Sequence, residues 1–193
     1  MSTKGSEGQE AELEHAPPRA AERAERLLMR AHELSLHGLD TLPAQDLLLL
    51  VRPDERPLQG LAGLVDWRLL GGLTRILKKE LFEGRAGESL LTISGRKLPV
   101  QRIFVYGLGR DEPVEVLPHA LGVVGRAGGK DVALAPFGEL SAYGEVAEVV
   151  ARAAFDAGIT HLTCLSEEVA AATKALVVVE AHHPWAVLES LGG

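Results

Sequence analysis

The sequence predicts an α/β domain: a mixed, mostly parallel sheet with helices on both faces. Three observations predict it. Short apolar runs alternate along the chain with segments of helical period, the pattern of a sheet layered between helices. The run "DLLLLV" (46–51) is continuously apolar rather than alternating, which marks a strand buried on both faces. And 46% hydrophobic content in 193 residues supplies one sizeable core without disulfide or metal staples.

Residues 1–18 are polar and acidic, rich in Gly, Ser and Glu, so a disordered tail is expected there. Residues 19–38 predict an amphipathic helix. "AAERAERLLMRAHELSLHG" sets Ala20, Ala24, Leu27, Leu28, Ala31 and Leu34 on one stripe with Glu and Arg opposite. His37 and Gly38 supply its stop signal. The stripe is expected either to dock on the core or to face a partner. The main domain is expected over 44–193, opening with the strand 46–51 and the turn-rich "RPDERP".

"DWRLLGGLTRILKKELFEGRAGESLL" (66–91) then reads as a helix, with Leu69, Leu70, Leu73, Ile76, Leu77 and Leu81 at helical spacing. Gly71 and Gly72 each cost such a helix about 1 kcal/mol relative to alanine. They are explained if the helix backbone approaches the sheet closely. Asp66 is expected to cap or charge-complement the helix start and Trp67 to cover the edge of the core as an aromatic anchor.

Residues 89–94 and 100–109 predict a strand pair around the turn at Gly95–Pro99. A helix follows over 114–129, with Pro118 early in it, then a strand over 130–137. The segment 139–158 predicts a helix with Val146, Val149, Val150, Ala153 and Ala154 inward and Gly158 as its stop. A strand over 160–166, a short helix over 167–174, a β-branched strand over 176–180 and a final short helix around Trp185 complete the pattern. No internal repeat is visible.

The formal charge of −7 disfavours nucleic acid, which is held by neutralising phosphates. Arg75, Lys78 and Lys79 are followed at once by Glu80 and Glu83, a solvated helix face rather than a phosphate track. Cys164 is the only cysteine, so no intrachain disulfide can form and a reducing compartment is expected. The N-terminus lacks the pattern of a signal peptide, and the run 47–51 is far too short to cross a bilayer. A soluble, cytoplasmic protein with no membrane contact is expected.

Two motifs carry a family resemblance. Phe82-Glu83-Gly84-Arg85-Ala86-Gly87-Glu88 fits an "F-x-G-(K/R)-x-G-E" segment that follows a leucine- and glycine-containing helix. Gly107-Leu108-Gly109-Arg110 fits a strand ending in "GLG" and a basic residue. In this order they resemble the N-terminal, macro-like domain of the leucyl aminopeptidases, the M17 family of dinuclear-metal exopeptidases, over roughly residues 45–180. The resemblance implies a macro-like three-layer fold. It also implies that peptidase chemistry belongs to a separate C-terminal domain with metal-binding Lys, Asp and Glu residues and an "NTDAEGR"-type segment. Nothing like that segment occurs in these 193 residues, and the chain ends where that domain would begin. The expectation is an accessory half without its catalytic half, with no catalytic residue, no metal and no cofactor.

Three other chemistries find partial matches among the residues. Gly107 and Gly109 lie between a strand and a helix, as a phosphate loop would. Glu112 stands where a third glycine belongs, however, and with Asp111 it would repel phosphate. Asp54 follows an early strand, as the acid of an ADP-ribose-binding macro domain does, but within "RPDERP" rather than the usual context. His161 and Cys164 are three apart in a predicted strand and so face opposite ways. His182-His183 reads as a polar turn before Pro184, and Cys164 as a small buried hydrophobe. The leading expectation is therefore a non-catalytic regulatory or adaptor protein with a protein partner, Leu27, Leu28, Leu34 and Trp185 supplying apolar contacts. Homo-oligomerisation is compatible with it. An ADP-ribose or nucleotide binder using Asp54, Gly107 and Gly109 is the alternative.

Overall fold

A computed structural model describes residues 25–137 and 143–189. The elements in order are β1 (Leu27–Glu33), α1 (Leu36–Asp40), β2 (Asp46–Val51), α2 (Gly60–Arg68), α3 (Gly72–Lys78), β3 (Ser89–Ile93) and β4 (Arg102–Gly107). They continue with α4 (Pro113–Arg126), β5 (Asp131–Leu134), α5 (Tyr143–Asp156), β6 (His161–Ser166), α6 (Val169–His182) and β7 (Ala186–Leu188). One seven-stranded sheet has the order β3-β4-β2-β5-β6-β1-β7. All neighbours are parallel except β3 and β4, which pair antiparallel.

The sheet separates two cores, as alternation requires. On one face, Leu27, Met29, Leu48, Phe104, Leu134 and Cys164 meet α4, α5 and α6. On the other, Leu47, Leu49, Ile103, Val105 and Leu165 meet α1, α2 and α3. This is the three-layer α/β arrangement that the sequence predicts.

The N-terminal helix over 19–38 requires correction. Residues 1–24, including the expected tail and the start of that helix, lie outside the described residues. From Leu27 the chain is an inner strand, not a helix. β1 pairs with β6 along its length and with β7, Leu28 opposite His161 and Leu27 opposite Ala186. Leu27, Met29 and Ala31 alternate inward, and Leu27 is fully buried. A strand flanked by two parallel neighbours satisfies its N–H and C=O groups on both sides, which outweighs helix propensity over so short a stretch. The domain therefore begins before residue 44. Among the described residues of this stretch, Leu36–Asp40 is helical, with Ser35 Oγ accepting from the Gly38 N–H at 3.0 Å.

Two later elements also differ. Val177 and Val178, read as strand, lie in α6, which runs on to His182 with Ala172, Ala175, Leu176 and Val179 inward at helical spacing. The segment at Trp185 leads into β7, not a helix. The helix expected over 139–158 is seen from Tyr143; residues 138–142 lie outside the described residues.

The helix over 66–81 is in fact two. α2 ends at Arg68 and α3 begins after Gly71, which has φ +75°. That left-handed conformation suits glycine and breaks the helix; close approach to the sheet is not its reason. Asp66 does cap a helix, but the second one. Its carboxylate accepts from the Thr74 N–H at 3.0 Å and from Thr74 Oγ1 at 2.5 Å, across the break.

Candidate functional site

In open α/β sheets, ligands sit outside the carboxyl ends of strands, where the connections diverge. Here β2 leads to β4 on one side, and β4 leads back across it to β5 on the other. A 340 Å³ cleft lies at that edge, lined among others by Leu50, Arg52, Glu55, Leu108, Pro113 and Phe137. Its polar groups serve the fold. The Glu55 carboxylate accepts from the Gln59 N–H at 2.7 Å and the Arg52 N–H at 3.4 Å, so a side chain already sits at the start of α2. Arg52 lies 3.6 Å from the Glu112 carboxylate. Asp54 is exposed in the neighbouring turn and does not line the cleft.

Gly107 and Gly109 belong to an interlock of two loops. The Gly107 N–H donates to Glu88 O at 2.8 Å, the Leu108 N–H to Val51 O at 3.0 Å, and the Gly109 N–H to Gly84 O at 2.9 Å. The Gly87 N–H donates back to Gly107 O at 3.1 Å. These amides are therefore committed to the protein, where a phosphate cradle needs them free. A Cβ on Gly107 would stand 2.0 Å from Arg85 O, which explains the glycine by close approach of the two loops. At the start of α4, the Glu112 N–H donates to Glu115 at 3.3 Å, placing a further carboxylate where a phosphate would need a donor.

The residue that organises this interlock, Glu88, escaped the sequence reasoning. One of its carboxylate oxygens accepts from the N–H groups of Glu83, Gly84 and Arg85, at 2.9, 2.9 and 3.1 Å. Successive amides converging on one anion form a nest, and here the occupant is the chain's own side chain. The signal was present in "FEGRAGE": an acid three to five residues after a glycine-containing turn. A second pair was also missed. Buried Asp46 holds Arg102 through both oxygens, each at 2.6 Å.

The histidine and cysteine candidates do not converge. The buried Cys164 thiol is pushed up to about 12 by burial, which suppresses its reactive thiolate. His161 Nδ1 lies 3.1 Å from Thr160 Oγ1, and His183 Nε2 lies 2.6 Å from Glu148 Oε1. Among the described residues, no group of three His, Cys, Asp or Glu is placed to hold a metal ion. Trp185 stacks with Phe155 and with His183, ring centroids 4.4 and 4.8 Å away, and Arg152 lies 5.1 Å from its ring. Leu27 is buried, while Leu28, Leu34 and Trp185 are partly buried, so these four do not form an exposed apolar stripe.

One exposed apolar patch lies at the α2–α3 break. Trp67 is 62% exposed and Leu70 70% exposed, which corrects the expectation that Trp67 anchors the core. They line a 630 Å³ surface concavity with Pro57, Leu58, Asp66 and Arg68. Arg68 lies 5.2 Å from the Trp67 ring while pairing with Asp40 and donating to Leu36 O at 3.1 Å. The Arg75 guanidinium donates to Leu70 O at 2.7 Å and has no ion pair among the described residues.

Comparison with known proteins agrees with this architecture. The N-terminal domain of the cytosol aminopeptidase family matches residues 48–181. The chain belongs to that family. Among solved structures, a mutant of tomato leucine aminopeptidase superposes with a TM-score of 0.55 at 18% identity, covering 81% of this chain and 37% of that one. The chain thus spans little more than a third of the tomato enzyme. The macrodomain of Mycobacterium tuberculosis DarG gives a TM-score of 0.56 at 12% identity, covering 72% of this chain and 97% of that one. A mutant Oceanobacillus iheyensis macrodomain gives 0.54 at 15% identity, with coverages of 72% and 84%. These likenesses establish the macrodomain-like fold. No curated protein sequence matches the chain. No helix among the described residues is long and apolar enough to cross a membrane.

Proposed function

We propose that this aminopeptidase-type N-terminal domain is a non-catalytic adaptor that binds another protein at the Trp67–Leu70 concavity. The observation that carries this reading is the outward placement of a tryptophan and a leucine around a concave surface beside two arginines. Tryptophan and arginine are enriched among the residues that dominate binding energy, and monomer surfaces rarely expose clustered large apolar groups without a use. The chemistry favours a partner segment with an apolar anchor that fills the concavity and a carboxylate that meets Arg75. The strand-end cleft is the weaker candidate because the loop amides and helix starts beside it are held by the protein's own groups.

Trp67→Glu and Leu70→Glu test the reading, since both side chains are already exposed and the fold should tolerate the changes. With the full chain as bait, the wild type should retain a partner that both variants lose. An equal melting temperature would show that the variants remain folded. A partner retained by both variants, or none retained by the wild type, would overturn the proposal.

A further inference from the structure

The two edges of the sheet are not alike. β7 has only three residues, Ala186–Leu188. β3, Ser89–Ile93, pairs with β4 alone among the described residues and reads "SLLTI". It carries none of the devices that blunt an edge strand: no charge, no proline and no bulge in its register with β4. Leu91 is 51% exposed and Ile93 73% exposed, on the same side of the strand.

The pairing with β4 fixes which backbone groups remain free. The Ser94 N–H donates to Gln101 O at 3.2 Å, and Glu88 O accepts from the Gly107 N–H at 2.8 Å. Antiparallel bonding alternates along a strand. Leu90 and Thr92 therefore direct their N–H and C=O groups to β4, and Ser89, Leu91 and Ile93 direct theirs outward.

We propose that β3 is a self-association edge, where a second copy of this chain pairs antiparallel about a two-fold axis through Leu91. In this register Leu91 faces Leu91 and Ser89 faces Ile93. All three outward residues then form pairs that exchange two hydrogen bonds each. Rotation about an axis normal to the sheet keeps each face on its own side, so exposed Leu91 and Ile93 extend the apolar row that includes Phe104. The flanks are complementary as well. Before the strand Glu83 and Arg85 pair with each other, which leaves Glu88 as the net acidic charge; after it stand Arg96 and Lys97, both basic. Antiparallel pairing brings the acidic flank of each copy toward the basic flank of the other. The contact is confined to one five-residue strand on each copy, short of the roughly 20–30 residues a side of a stable interface, so the dimer is weak and reversible. The inference is independent of the Trp67 concavity.

Sedimentation equilibrium of the full chain up to about 500 µM, a range that resolves weak association, should show a monomer–dimer equilibrium. Leu91→Lys sets like charges directly opposite and should raise the dissociation constant at least about tenfold. An equimolar mixture of Leu91→Lys and Leu91→Glu should regain the dimer. Leu91→Cys should cross-link under mild oxidation, because paired Cα atoms about 5.5 Å apart suit a disulfide. Ser89→Cys, facing Ile93, should not. A chain monomeric throughout, a dimer indifferent to Leu91→Lys, or equal cross-linking of the two cysteine variants would overturn the proposal. Trp67→Glu should leave self-association unchanged, and a dimer lost in that variant would place the interface elsewhere.

Discussion

Replacing Glu88 by alanine removes the anion from the nest formed by Glu83, Gly84 and Arg85. A hydrogen bond to a charged group contributes about 1.5–3 kcal/mol. The three bonds share one oxygen, so their contributions do not add independently. Exposed Arg85 can recover water at its amide, whereas Gly84 is buried and its N–H would be left without an acceptor. The loss should therefore be about 2–3 kcal/mol. At roughly 2–4 °C per kcal/mol for a chain of this size, the melting temperature should fall by about 4–12 °C. Glu88→Gln keeps an acceptor oxygen without the charge and should lose about half as much. Urea unfolding measures both, and an unchanged m-value would show that the unfolded reference is the same. Amide exchange at Gly84 should accelerate in Glu88→Ala. A loss below about 0.5 kcal/mol, against the range just cited, would refute the reasoning, as would unchanged exchange at Gly84.

Gly107→Ala should prevent stable folding or lower stability by more than about 4 kcal/mol, because the new methyl meets the Arg85 carbonyl; near-normal urea unfolding would contradict this. Arg102→Ala leaves buried Asp46 without its cation and should cost about 3 kcal/mol by the same measurement. Cys164 should resist a thiol reagent at pH 8 in the native protein and react fully in denaturant, since burial holds its thiol near 12. Asp131 titrates above the ordinary carboxylate value of 3.8 chiefly because of burial, with His161 and Arg30 opposing the shift. A raised carboxylate pKa means that the folded state holds the proton more tightly, so this group's stabilising contribution falls as pH rises from the ordinary value through the raised one. Asp131→Asn should therefore gain stability relative to wild type between pH 3 and pH 7, and a difference independent of pH would count against the assignment.

By itself the sequence determined the α/β class, the β3–β4 pair and the run from α4 to β6. Continuous apolar stretches such as 46–51 and repeated inward positions such as Val146, Val150 and Ala154 leave one period available over their length. It also carried the family, through the glycines of "FEGRAGE" and "GLG", although their reason is a contact between loops distant in sequence. Where a stretch fits two periods, only tertiary structure decided. Leu27, Met29 and Ala31 fit a strand, while Leu27, Ala31 and Leu34 fit a helix; neighbours β6 and β7 selected the strand. Val177 and Val178 favour a strand locally, but α6 buries Leu176 and Val179 on its inward face and leaves those two outside. Trp67 looked like a core anchor until the break at Gly71 separated α2 from α3 and left it exposed. Composition specifies that apolar surface is to be buried, but which side chains remain outside depends on which partners the fold brings to each face.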